Sequence, residues 1–292
     1  MPTSINGNSG GGASLPATPA AALLDAAHPN ELVNLGAGGV GSSVTVDVLA
    51  GALVAPNLAL RRQPAVASTA MLWECNEAAS PLASTGSVAC NLANAGAAVF
   101  DFIDPVSTLD GGAVHFTGGA TSEVTGGAGV YPGSATTTAV TLWAVINIHT
   151  MPAVAGCVIA RDYGATWVAP FGAFVDILPG GVVRAFAPFG GGPTDDTVSS
   201  ASGVVEINRQ HLVGMTYNGT NLRVRVDGVR VANKAVASPL TWGSAGTWHL
   251  GANGGGNLFN GVVIRAGVET VAWDRADWAL AYRRLTGTTS SL

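Results

Sequence analysis

The sequence predicts an all-β protein: an antiparallel β-sandwich of the jelly-roll kind, with an extended N-terminal arm and a short C-terminal helix. Three observations carry that expectation. Residues 211–231 alternate apolar and polar side chains around Asn218-Gly219 and Asp227-Gly228. Asn-Gly and Asp-Gly are the strongest short hairpin signals, because both central turn positions need positive φ. From residue 67 onward, short apolar runs recur between Gly-rich connections, the spacing of sandwiches and jelly rolls. Composition points the same way, with 40 glycines and only six glutamates in 292 residues.

Folded with two-residue turns at both sites, residues 211–231 make three antiparallel strands. Met215 then faces Leu222, Val213 faces Val224, Val224 faces Val231 and Val226 faces Val229. All are apolar and share one face, because side chains alternate along a strand. A one-residue slip would turn the set toward water. The opposite face sets Arg225 across from Arg230, with Arg223 two residues away. Like charges directly across a sheet destabilise it. An acidic partner surface would offset that and make Arg223, Arg225 and Arg230 interface residues; solvation and strand twist are the alternative.

The remaining elements follow in order. Residues 1–14 are rich in Gly, Ser and Asn and would be flexible alone. Residues 20–27 favour helix until His28-Pro29 ends it. Residues 1–66 therefore read as an arm or attachment region without its own core, expected to lie on a partner. Strands are expected at 70–74, 113–116, 140–148, 154–161, 171–178, 182–187, 248–251 and 262–266. Along 140–148, Val140, Leu142, Ala144, Ile146 and Ile148 alternate with mixed residues, which suits a half-buried strand. Asp274 is placed to cap a short helix through Trp278 and Tyr282. The β domain spans 67–287, and 288–292 form a tail.

Composition bounds function. Hydrophobic content is 48%, enough for a sizeable core, while charged residues make up 11%, against about 25% in an ordinary soluble domain. Either Ser, Thr, Asn and Gly cover the surface, or neighbouring subunits do, as in a homo-oligomer. A net charge of −5 gives no reason to expect nucleic acid. The most apolar window, 139–160, contains Asn147, His149 and Pro152, so no membrane span is expected. No basic segment followed by an apolar run opens the chain, so no secretory signal is expected. Cys75, Cys90 and Cys157 have no metal spacing; they read as three reduced, buried thiols, with a Cys75–Cys90 bridge as the alternative.

The late segment carries a likeness. Tyr217-Asn218-Gly219 is followed by Val226-Asp227-Gly228, His249-Leu250-Gly251 and Phe259-Asn260-Gly261, then by the strand holding Ile264-Arg265 and a helix containing Asp277-Trp278-Ala279-Leu280-Ala281-Tyr282. This order resembles the laminin-G-like group of concanavalin-A-like jelly rolls, over roughly residues 70–287. The resemblance implies that fold. It says little of function, since the fold hosts lectins, hydrolases, adhesion modules and viral structural proteins.

Some members of the fold are glycoside hydrolases with two carboxylates on one strand face. Here Glu74 and Glu77 are three apart and would point to opposite faces of a strand, so no enzyme activity is expected. No Ser/His/Asp constellation stands out, and no catalytic residue is assigned. His28, His115, His149, His211 and His249 are scattered singly. No cofactor is required. Calcium is the one ion the resemblance suggests, with Asp195 and Asp196 in one loop, and Asp101, Asp104 and Asp110 in another, offering hard oxygen ligands; solvated acidic loops are the plainer reading. Four aromatics near loops, Tyr163, Trp167, Trp242 and Trp248, are candidates to stack on sugars, Trp167 first, with core packing as the alternative.

The combined expectation is a non-enzymatic decoration protein of a phage virion, on head or tail. It would be assembled in the host cytoplasm, tied to other virion proteins by residues 1–66, and carry a lectin-like domain that meets glycans or neighbouring subunits. The alternative is an extracellular bacterial carbohydrate-binding or adhesion module; a glycoside hydrolase comes third.

Overall fold

The computed structural model describes residues 68–105, 112–119, 121–161, 172–187, 189, 197–236, 239–242, 246–253 and 256–286. The described residues form β1 (Thr69–Trp73), β2 (Ser84–Thr85), β3 (Leu92–Asn94), β4 (Val99–Phe102), β5 (Ala113–Thr117), β6 (Val124–Gly126), β7 (Thr136–Thr137), β8 (Val140–Ile148) and β9 (Gly156–Arg161). They continue with β10 (Phe174–Leu178), β11 (Val182–Phe186), β12 (Thr197–Ser199), β13 (Gln210–Tyr217), β14 (Asn221–Val226), β15 (Val229–Ala235), β16 (Leu240–Thr241), β17 (Trp248–Leu250), β18 (Asn260–Glu269) and the helix α1 (Arg275–Thr286). The predicted all-β architecture with a C-terminal helix is what forms. Strands of two to four residues, such as β2, β4 and β12, escaped the sequence reading because so short a stretch shows no periodicity.

Two antiparallel sheets make the sandwich. The larger runs β15-β14-β13-β8-β18-β1-β2, with β5 paired to β18 and β4 to β5; the other runs β12-β11-β10-β9-β17-β6-β3. Inward side chains of both sheets fill one core, including Leu142, Ile146, Val175, Ile177, Val213, Val224, Trp73 and Trp248. All nine residues of β8 are buried, where alternation suggested half. The cause is a second apolar layer outside the sheet, in which Trp143, Val145, Leu212, Val262 and Ile264 pack with Trp278 of α1.

Two glycines admit that layer. A Cβ on Gly214 would lie 2.5 Å from the Trp278 ring, and one on Gly267 would lie 2.5 Å from the Trp143 ring. Trp273 links the two indoles, stacked on Trp143 at 5.8 Å and edge-on to Trp278 at 5.3 Å. Trp278 Nε1 donates to Thr216 Oγ1 at 2.9 Å, and Trp143 Nε1 to Glu269 Oε1 at 3.3 Å. The predicted cap is present: Asp274 Oδ1 accepts from the Asp277 backbone N–H, and Asp277 Oδ2 from that of Asp274, both at 2.9 Å, a reciprocal capping pair.

The meander forms in altered register. At the second turn Asp227 and Gly228 both have positive φ, 51° and 82°, and Val226 pairs with Val229 and Arg225 with Arg230, as expected. Asp227 also holds the first strand: its Oδ1 accepts from Leu212 N at 2.9 Å and its Oδ2 meets His211 Nδ1 at 2.8 Å. His211 Nε2 accepts from Glu206 N–H, so Nδ1 carries the proton that Asp227 accepts. At the first turn Met215 pairs with Val224 and Val213 with Val226, two residues from the expected register. Here Gly219 alone takes positive φ, 87°, and Asn218 Oδ1 accepts from the N–H groups of Thr220 and Asn221, so the turn centres on Gly219-Thr220. A bulge between Val224 and Arg225 sets Val224 against Ala232 rather than Val231. Val229 is 53% exposed, because β15 is an edge strand. The three cysteines are free and buried. No helix among the described residues is long and apolar enough to cross a membrane.

Candidate functional site

Five of the aromatic and acidic candidates, Asp110, Tyr163, Trp167, Asp195 and Asp196, lie outside the described residues. Trp242 and Trp248 are 2% and 0% exposed, which corrects their reading as loop platforms. Trp248 points inward from β17, against Trp73 at 6.0 Å and Trp242 at 5.9 Å, and donates to Val130 O at 3.2 Å. The buried Arg161 guanidinium lies over Trp242, 5.6 Å from the ring centroid. A tryptophan between two sheets keeps its area from water and has no face left for a ligand.

The arginine face is real. Arg225 and Arg230 sit opposite each other, and Arg223 pairs with Asn233. Arg223 Nε donates to Asn233 Oδ1 at 3.3 Å, and Asn233 Nδ2 to Asn221 Oδ1 at 3.2 Å. Arg225 is 6% exposed. Its Nη1 donates to Gly228 O at 3.2 Å, while its buried Nε has no hydrogen-bond partner. Burial pulls this guanidinium below the usual arginine range, and Arg223, Arg230 and Arg275 add to that, with Asp274 opposing.

A second cluster, absent from the sequence reading, forms at another end of the larger sheet. β5 joins β18 beside β8, so His115 and Asn147 flank Val262 on neighbouring strands. The Phe102 and His115 rings stack at 4.5 Å, and His149 lies 5.1 Å from His115 and 6.0 Å from Phe102. All three rings are partly exposed. Asp104, 5% exposed, backs them: its Oδ2 accepts from Asn147 Nδ2 at 2.7 Å, and its Oδ1 is 3.9 Å from His149 Nε2. Asn147 Oδ1 is buried without a partner. Burial lowers the His115 pKa, the neighbouring His149 adds to the shift, and Asp104 opposes it, so His115 is held neutral near pH 7. Exposed Val99 and Ile103 lie beside the cluster in sequence. A half-exposed aromatic surface beside a carboxylate, an amide and two imidazoles can pack the C–H face of a sugar ring and meet its hydroxyls.

Asp104, weighed above as a calcium ligand, thus faces Asn147 and His149. No three His, Cys, Asp or Glu side chains among the described residues converge to hold a metal. Glu74 pairs with Arg265 at 2.6 Å, and Glu77 accepts from Ala83 N at 3.1 Å. On the second sheet, Asp176 forms a two-point pair with Arg184 beside the stacked Phe174 and Phe186.

No family model matches this sequence, and no curated protein sequence is similar to it. Solved structures resemble it in fold. A Trypanosoma rangeli sialidase aligns over 74% of this chain and 33% of its own, with 13% identity and a TM-score of 0.51. The botulinum neurotoxin serotype D ligand binding domain, in complex with N-acetylneuraminic acid, covers 74% of this chain and 50% of its own, with 10% identity and a TM-score of 0.55. The serotype G binding domain aligns over 73% and 50%, with 8% identity and a TM-score of 0.52. This chain therefore spans a third to a half of these three chains, and what it shares with them is the β-sandwich.

Proposed function

We propose that this protein is a non-catalytic carbohydrate-binding module that meets a saccharide at the Phe102–His115–His149 rings. The observation that carries the reading is the three-ring surface, within 6.0 Å centre to centre, backed by the buried Asp104–Asn147 pair. The sandwich shared with a toxin domain captured with N-acetylneuraminic acid supports it. Binding without cleavage is supported by Glu74 and Glu77, which are engaged in structural contacts. The test is a glycan array followed by calorimetry on the best ligand. Phe102→Ala is expected to weaken that ligand about tenfold, the value of one aromatic contact, with the fold intact. A module that binds nothing on the array, or binds equally well without Phe102, overturns the reading.

The low charge of the chain, 11%, favours a second element: the module decorates an assembly such as a phage virion, attached through residues 1–66. Deleting residues 1–66 is then expected to abolish incorporation and to leave the sandwich folded. Normal incorporation of the shortened protein sinks this element alone.

A further inference from the structure

We propose that the outer face of β14 and β15 is a recognition site for an anionic group on an acidic saccharide, a carboxylate or sulfate held between Arg223, Arg225 and Arg230. The saccharide half of the proposal rests on the carbohydrate reading above; the anion half does not. Directly opposed residues of an antiparallel pair lie about 5 Å apart, and residues i and i+2 about 7 Å apart. The three guanidinium stems therefore rise from one patch no larger than a monosaccharide. Arg275, at the start of α1, acts on Arg225 as a further positive charge.

No carboxylate among the described residues pairs with Arg223, Arg225, Arg230 or Arg275. The acidic groups near the patch are engaged elsewhere. Asp274 and Asp277 cap α1, and Asp227 holds His211 and Leu212 N. The buried Arg225 Nε–H lacks an acceptor. A fold gains nothing by placing like charges across a sheet and leaving a buried donor unmet. A bound oxyanion removes both costs, and guanidinium groups fit carboxylate and sulfate with paired hydrogen bonds.

The rest of the face selects the kind of ligand. It offers Asn221 and Asn233, joined by hydrogen bonds to each other and to Arg223 and Thr220, and of apolar side chains only Ala235. Protein interfaces centre on buried apolar and aromatic anchors, which this face lacks. Amides and a hydroxyl beside a cationic patch suit the hydroxyls of an acidic sugar.

The full chain would be titrated with a sulfated tetrasaccharide and with a neutral tetrasaccharide, at low and high salt. Expected is binding of the sulfated ligand that weakens at least tenfold in Arg223→Gln and in Arg230→Gln, and weakens again with salt. Both positions are accessible, so these variants keep the fold, which a thermal melt checks. Phe102→Ala should leave the charge-dependent part unchanged, which separates failure of this site from failure of the ring cluster. Equal affinity for sulfated and neutral ligands, or full sulfated-ligand binding in both Gln variants, overturns the proposal. Arginine-dependent, salt-sensitive self-association without saccharide binding would also overturn it, and assign the face to a second copy of the chain.

Discussion

The ring cluster and the arginine face both lie on the outer side of the larger sheet, yet they are built in opposite ways. The arginines come from one hairpin, eight residues from Arg223 to Arg230, and their opposition is local. Phe102, Asp104, His115, Asn147 and His149 come from three separate stretches that meet only through the β4–β5–β18–β8 pairing. The cluster is polar and internally engaged, with Asp104 answered by Asn147. The arginine face repels itself. Local chemistry gives a site whose charge looks outward for a partner; long-range assembly gives one whose carboxylate is met by a hydrogen-bonding amide from a distant strand.

The largest test attacks the layer that covers the sheet beside both regions. Trp278→Ala removes a fully buried indole and should cost about 3–5 kcal/mol in chemical denaturation. A loss under about 1 kcal/mol would mean that α1 does not seal the sheet. The next tests oppose the two regions directly. Asp104→Ala leaves the buried Asn147 amide without its acceptor and should destabilise by about 1–3 kcal/mol. Arg225→Met should do the reverse, since an apolar side chain replacing a buried cation with an unmet donor is neutral or stabilising by about 1 kcal/mol. If both lower stability alike, the contrast fails.

A pH series sharpens the same contrast. Burial holds the His115 pKa below its unfolded value. The neutral ring's contribution is thus fully present above that unfolded value, near 6.5, and is lost as pH falls toward the lowered folded value. Melting temperature should drop as pH falls below about 6.5, and His115→Phe should flatten the drop. The arginines stay charged throughout this range, so Arg223→Gln should leave the slope alone. The smallest effect concerns the turn: Gly219→Ala, at a φ of 87°, should cost about 1 kcal/mol.

Much of this architecture can be read from residue order. The alternating valines of β13 and β14, the Asp227-Gly228 turn and the Asp274 cap are local patterns, and local physics decides them. The two-residue offset at Asn218-Gly219 is harder, because a shift by two keeps every side chain on its face. The apolar pattern is blind to it; what decides is the Asn218 side chain, which accepts two backbone N–H groups and so precedes the turn. Trp242 and Trp248 misled because they flank a Gly-rich connection, while Trp248 belongs to β17, only three residues long, and Trp242 follows β16, only two. The ring cluster had no local signature. Each of its members is an isolated residue in the sequence, and only the pairing of distant strands gathers them.

The paired gaps at Gly214 and Gly267 carry a practical lesson for anyone trimming this protein. A fragment ended ahead of Asp274 would strip the roof from a greasy slab holding Trp143, Leu212 and Ile264. Such a piece is expected to clump at its bare side even with the rest of its sheets in order, so shortening from the C-terminus should stop beyond Thr286.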